Sequence, residues 1–342
     1  MKRLNLLKFS DLKKILIIQT ASLGDVILST PVAEKLHHFY PEATIDYLIK
    51  SGYQKVFYNH PFITNVMTWD KSQKKYDHLM EIINAVRKNK YDLVVNIQRF
   101  ASSGLVTAFS GASFRVGFRK NPLSLFFTNR VSHKIGKHKS SPHETERNLK
   151  LIESLTNDSS FPVRLYPSQH DYAKVSQYKT RQYITVAPGS LWFTKQFPEE
   201  KWVEFAGSLD NDLAVYFLGS PNEINLCERI IEKSGHADSI NLAGKLSFLE
   251  SAALMRDALI NYVNDSAPMH LASAVNAPVA AIYCSTVPEF GFGPLSEKKY
   301  IIQAADAPKC KPCGLHGFKK CPEKHFDCAF KINNEQLLEA LK

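Results

Sequence analysis

Short, wholly apolar runs alternate along this chain with longer stretches in which apolar residues recur every three or four positions. Lys14-Ile15-Leu16-Ile17-Ile18-Gln19 is too short for a buried helix and predicts a strand. Val26 to Phe39 has apolar residues at 26, 27, 32, 33, 36 and 39 and predicts a helix, with Pro31 either starting its regular part or kinking it. The same alternation predicts strands over 44–49, 64–69, 93–98 and 114–118, and helices over 53–58, 78–88 and 102–109. Apolar strands that each lead into a helix are the pattern of a parallel sheet, a doubly wound α/β domain.

Residues 119–147 break that rhythm. They hold Arg119, Lys120, Arg130, His133, Lys134, Lys137, His138, Lys139, His143 and Arg147, with Leu123, Leu125, Phe126 and Phe127 between them. Such a segment reads either as a solvated loop or as a surface for an acidic, partly apolar target. A helix opens at His143 and runs to about Leu155, and the aperiodic stretch 159–183, with Pro162 and Pro167, reads as an interdomain link. The alternation then resumes, with strands over 183–187, 214–218, 239–242, 258–263 and 279–283. Helices are expected over 198–209, 223–233 and 248–255, after Asn264, and over 334–341. The chain therefore divides into an α/β domain over 1–170, a second over 180–330 and a closing helix within 331–342, with a cleft between the two domains.

Length and composition fit this division. The 342 residues exceed one average domain, and 44% apolar against 22% charged residues is enough for two substantial cores. No uncharged apolar run reaches the roughly 18–20 residues of a membrane span. The basic start Met1-Lys2-Arg3-Leu4-Asn5-Leu6-Leu7-Lys8 is not followed by a signal-peptide core, so a cytoplasmic protein is expected. Charge is uneven: residues 1–150 hold 24 Lys and Arg against 11 Asp and Glu, and the remainder 19 against 22, a balance of +13 and −3. The first half is thus suited to an anionic partner, which could be nucleic acid, an anionic lipid surface or a phosphorylated small molecule.

Candidate chemistry gathers where strands end. The loop Thr20-Ala21-Ser22-Leu23-Gly24-Asp25 follows the first strand but has one glycine where a dinucleotide fingerprint needs three. Asp25 reads either as a helix-start cap or as a general base at the cleft. In Asn264-Asp265-Ser266-Ala267-Pro268-Met269-His270, Asp265 and Ser266 stand at a strand-to-helix turn, where either can cap the helix and its first N–H groups can receive an anion. Ser190 and Lys195, after the 183–187 strand, are suited to phosphate, Lys195 as a compact positive charge. His270, a turn into the helix, either faces the cleft or packs. No Gly-x-Ser-x-Gly, Gly-Lys-Ser/Thr or His-Glu-x-x-His is present, which argues against serine hydrolase, P-loop ATPase and common zinc protease chemistry. Cys310, Cys313, Cys321 and Cys328 form a tail segment over 310–328, near His316 and His325. They read as a structural zinc or iron–sulfur ligand set or as reduced, packed thiols, and disulfides are not expected in a cytoplasmic chain.

Four ordered motifs together resemble a known family. They are Ser22-Leu23-Gly24-Asp25-Val26-Ile27-Leu28-Ser29-Thr30-Pro31, Ala187-Pro188-Gly189-Ser190 with Lys195-Gln196-Phe197-Pro198, Asn241-Leu242-Ala243-Gly244-Lys245, and Asn264 to Ala274 with Thr286 after the next strand. Over nearly its whole length the chain resembles the ADP-heptose:lipopolysaccharide heptosyltransferases, glycosyltransferase family 9. The resemblance implies a GT-B fold of two Rossmann-like domains facing across an interdomain cleft, and a metal-independent inverting transfer from ADP-heptose with no cofactor. That fits the lack of an Asp-x-Asp pair at a strand end. It implies Asp25 as general base, Lys195 on the donor phosphate and Asp265 on the donor sugar. Ser190, Ser266, Ala267 and His270 would complete the donor site. Arg119, Lys120 and Arg147 would meet an anionic glycolipid acceptor of the inner core at the cytoplasmic face of the inner membrane, and no nucleic acid partner is expected. Two departures stand out: Ala267 replaces the usual glycine, which has greater conformational freedom, and Phe197 replaces a frequent tryptophan. Ala267 leaves room for another nucleotide-sugar of the same envelope pathway. The basic half leaves room for a non-enzymatic binder of an anionic surface or nucleic acid.

Overall fold

The computed structural model describes residues 12–71, 75–135 and 141–342. The chain forms two compact units, one running to Ile135 and including Pro142–Arg164, the other comprising Leu165–Lys342. The starting segment Met1–Lys8 and the basic residues Lys137, His138 and Lys139 lie outside the described residues.

Unit 1 runs β1 (Lys14–Gln19), α1 (Leu23–Ile27), α2 (Thr30–Phe39), β2 (Thr44–Lys50), β3 (Ile63–Trp69), α3 (Lys75–Asn89), β4 (Leu93–Asn96), α4 (Ala101–Ala108), β5 (Phe114–Phe118), β6 (Asn129–Val131) and α5 (Glu144–Leu149). Its strands lie in the order β3-β2-β1-β4-β5-β6 and every neighbouring pair is parallel. β1 is central, with Ile17 level with Tyr47 on one side and Val95 on the other. Leu16 and Ile18 join a core with Trp69, Leu79, Ile83, Val86 and Val106, while Ile15 and Ile17 are equally buried. Burial on both faces is why β1 shows no apolar–polar alternation.

The expected helix over 26–39 is two helices. Leu28 and Ser29 separate α1 from α2, and Pro31 sits in the first turn of α2, where its missing N–H costs no helical hydrogen bond. Within the 119–147 segment, the described residues 119–135 are more ordered than a solvated loop, since they contain a 3-10 turn over Ser124–Phe126 and the strand β6.

Unit 2 runs α6 (Gln169–Val175), β7 (Tyr183–Ala187), α7 (Glu199–Gly207), β8 (Ala214–Phe217), α8 (Ile224–Ser234), β9 (Ser239–Asn241), α9 (Phe248–Arg256), β10 (Asn261–Asn264), α10 (Ala267–Ala274), β11 (Val279–Ile282), β12 (Lys299–Ile302), α11 (Asp327–Phe330) and α12 (Asn334–Leu341). The order β12-β11-β10-β7-β8-β9 is again parallel throughout. Counted from its own first strand, unit 2 repeats the 3-2-1-4-5-6 order of unit 1. Its core gathers Phe197, Trp202, Phe205, Phe217 and Tyr262, with Leu337 and Ala340 of α12 packed into it. α6 lies inside the expected link; its start is fixed by a capping box in which Ser168 and Asp171 exchange side-chain-to-backbone hydrogen bonds.

Candidate functional site

In a 3-2-1-4-5-6 sheet the strand order reverses between the first and fourth strands. The loops leaving those two strands go to opposite faces, and ligands bind in the crevice outside their carboxyl ends. In unit 1 that place lies between β1 and β4, and in unit 2 between β7 and β10.

At the unit 1 switch point, β1 ends at Gln19 and Ser22 caps α1. Asp25 is the third residue of α1, and its Oδ2 accepts from the Ser22 N–H at 3.1 Å and the Ser22 hydroxyl at 2.6 Å. The cap reading of Asp25 is therefore realised, and it fixes a half-buried carboxylate on a short, rigid turn. Polar side chains stiffen the loop from beneath. Gln98, beyond β4, donates to Gln19 Oε1 and accepts from Thr20 Oγ1 at 3.1 Å, while Lys71 Nζ donates to Thr20 O at 3.0 Å. Arg119 and Lys120 leave β5 at the same edge of the sheet and are exposed.

Arg147 lies elsewhere in chemical terms. It is 5% exposed, and its guanidinium holds Glu144 Oε2 through Nε at 2.7 Å and NH2 at 2.6 Å, with NH1 on Pro142 O at 2.5 Å. Burial pushes the Glu144 carboxyl up, but His133 and Arg147 outweigh it and hold that carboxyl below its ordinary range. The expectation of Arg147 as a surface cation for an acceptor is corrected: it belongs to a buried ion pair. Its neighbour Asn148 is the residue that reaches the Asp25 helix, donating to Leu28 O at 3.2 Å.

At the unit 2 switch point, both ends of the loop between β7 and α7 meet Asn264. Its Oδ1 accepts from Phe197 N at 3.0 Å and its Nδ2 donates to Pro188 O at 2.7 Å, so the β7 loop and the start of α7 are pinned to the end of β10. Lys195 Nζ meets Asp265 Oδ2 at 2.7 Å, with both side chains largely buried, and Thr286 Oγ1 donates to the same oxygen at 2.6 Å. Gln196 Nε2 donates to Ser190 O at 2.6 Å. The Glu223 carboxylate lies over Gly189, where a Cβ would come 1.6 Å from Oε1. A lysine, an aspartate and a helix N-terminus thus share one crevice, an arrangement that can neutralise a diphosphate and hold neighbouring hydroxyls.

The family model for glycosyltransferase family 9 (heptosyltransferase) matches residues 79–321. The chain belongs to this family. Lipopolysaccharide heptosyltransferase 1 of Campylobacter coli is 25% identical, over 80% of this chain and 84% of its own. The solved structure of the Escherichia coli ADP-heptose lipopolysaccharide heptosyltransferase II superposes with a TM-score of 0.78 at 22% identity, covering 96% and 97% of the two chains. A family 9 glycosyltransferase from Veillonella parvula gives 0.80 at 21%, covering 97% and 96%. The fold is GT-B, and the protein is a glycosyltransferase of family 9.

In this glycosyltransferase, Ser266 is the N-cap residue of α10, yet neither it nor Asp265 caps the helix as expected. Ser266 makes no side-chain cap bond and donates back to Asn264 O at 3.3 Å, and Asp265 is engaged by Lys195 and Thr286. Ala267 is the first residue of α10 and does not have a positive φ, so glycine's freedom is not needed there. His270 is buried within α10. The roles of Asn264 and Thr286 emerge only from these contacts, although a polar residue closing an otherwise apolar strand marks Asn264 in the sequence. Cys328 is buried on α11, and Cys310 Sγ lies 3.8 Å from His325 Nε2. Among the described residues no three His, Cys, Asp or Glu side chains are arranged as a ligand set for a metal ion. No helix among them is long and apolar enough to cross a membrane.

Proposed function

We propose that this protein transfers heptose from ADP-heptose to a hydroxyl of the lipopolysaccharide inner core, inverting the anomeric centre and needing no divalent ion. The reading is carried by the Lys195–Asp265 pair beside the start of α10 at the β7/β10 switch point. The lipopolysaccharide heptosyltransferases among its relatives support it. Asp25 takes the proton of the acceptor hydroxyl, whose oxygen attacks C1 of the donor sugar from the face opposite the nucleotide. The bond from C1 to the diphosphate oxygen breaks and ADP leaves, its developing charge met by Lys195 and by N–H groups at the start of α10. Asp265 holds sugar hydroxyls, with Ser190, Ser266 and His270 lining the donor. In this reading Arg119 and Lys120, whose exposure supports the role, meet the phosphorylated glycolipid, and the enzyme works at the cytoplasmic face of the inner membrane.

Asp25→Ala should lower kcat by roughly 10²–10⁴-fold, the usual worth of a general base, with ADP affinity retained. Near-normal turnover in that variant would remove Asp25 from the chemistry. Donor identity is tested by thermal shift: ADP-heptose should raise the melting temperature more than UDP- or GDP-hexoses at equal concentration. A larger shift from one of those sugars would overturn the heptose assignment.

A further inference from the structure

Residues 303–326 contain no helix or strand, yet one part of this irregular stretch touches the Lys195 loop at several points. Thr194, buried beside Lys195, accepts from Phe318 N at 2.7 Å through its hydroxyl and donates its own N–H to Phe318 O at 3.1 Å. Ser285 Oγ donates to the same Thr194 hydroxyl at 3.0 Å, and Ser285 O accepts from Cys313 N at 2.8 Å. Gly317 has φ +74°, and a Cβ there would lie 2.8 Å from Thr194 Oγ1 and 3.2 Å from Lys195 Cγ. At the near end of the stretch, Lys311 Nζ donates to Tyr283 O at 2.8 Å and Gln303 Oε1 at 3.1 Å.

These contacts close a circuit. The segment Cys313–Phe318 grips Thr194 on one side and Ser285 on the other. The next residue, Thr286, holds Asp265, and Asp265 pairs with Lys195. Both charged groups of the crevice therefore take their positions from the same short segment. We infer that Cys313–Phe318 is a brace that sets the placement of Lys195 and Asp265, with Thr194 and Gly317 as positioning residues for donor binding, and that it acts through its main chain rather than its thiols.

The inference rests on the donor reading above, so the test uses ADP itself. ADP affinity by calorimetry is measured beside KM and kcat for the full chain. Thr194→Val leaves the Phe318 N–H and the Ser285 hydroxyl without their acceptor and should weaken ADP binding and raise donor KM by roughly fivefold, the scale of one hydrogen bond, with kcat little changed. Thr194→Ser should restore both. Gly317→Ala, which places a methyl against Lys195, should weaken binding by about tenfold. The double variant Cys310→Ser/Cys313→Ser should bind ADP as the parent does. Unchanged affinity in a folded Thr194→Val protein would overturn the brace. So would a cysteine variant as impaired as Gly317→Ala, because thiol chemistry would then be holding the segment. If Gly317→Ala fails to fold, the Thr194→Val and Thr194→Ser pair decides. A parent protein that binds no ADP at all would sink the donor reading instead.

Discussion

At the scale of single residues, the site is decided by what holds each charge in place. Asp265 carries a lysine on one oxygen and a threonine hydroxyl on the same oxygen, both in a largely buried setting. Thr286→Val removes the hydroxyl and should raise donor KM severalfold while leaving acceptor KM unchanged; steady-state kinetics in both substrates separate the two. Glu144 offers a pH test. Its carboxyl is held below its ordinary value of 4.5 in the folded state, so its contribution is present at neutral pH and fades as pH falls below that value. Glu144→Gln should cost roughly 3 kcal/mol at pH 7, the scale of breaking a buried pair, and that difference should shrink in urea titrations carried out near pH 3. The sequence made Lys195 and Asp265 visible because each stands in a motif at a strand end. Arg147 was misjudged because an arginine beside a run of exposed cations looks solvated; the Glu144 three residues before it was the one local hint of a partner.

At the scale of elements, the apolar runs were enough to place most strands, since a run buried on both faces has few other fates. Boundaries and breaks were less legible. The Leu28–Ser29 interruption depends on Ser29 Oγ donating to Val26 O at 2.6 Å and Thr30 Oγ1 to Ile27 O at 2.9 Å, and side chains bonding back to their own helix carry no hydrophobic period. β6 and β12 escaped for the opposite reason: they are short and partly exposed, and show no sustained apolar run. Asn264 shows how one side chain can govern several elements. Asn264→Ala leaves Phe197 N–H and Pro188 C=O without their partners in a buried setting, and should destabilise the protein by roughly 2–4 kcal/mol in urea unfolding. A loss below about 0.5 kcal/mol, the range of an ordinary surface change, would mean that the loops hold their places without it.

At the scale of the molecule, two sheets of the same strand order carry different charge and different chemistry. The first 150 residues have a surplus of 13 positive charges and carry the capped carboxylate of Asp25; the rest of the chain is close to neutral and carries the lysine–aspartate crevice. Each unit has its own core, and α12 packs into the second, so residues 165–342 form a body with its own stabilising contacts. Expressed alone, that fragment should unfold cooperatively and bind ADP as the whole chain does, without transferring sugar; calorimetry and an activity assay check both. The division into two α/β domains was legible from the pattern alone, because the alternation stops and restarts. The identical strand order was not, because which strands become neighbours is set by crossover geometry rather than by any local run.

The resting partnership of Lys195 with Asp265 has a consequence for selectivity. An incoming anion does not find an idle cation; it must compete with a carboxylate already seated at 2.7 Å. A small phosphate can draw the lysine away but leaves the aspartate stranded in a buried place. A molecule that brings both a diphosphate and hydroxyl groups compensates the two ions in one exchange. On the donor reading, the crevice should favour a ligand that carries both groups over free phosphate, which answers only the lysine.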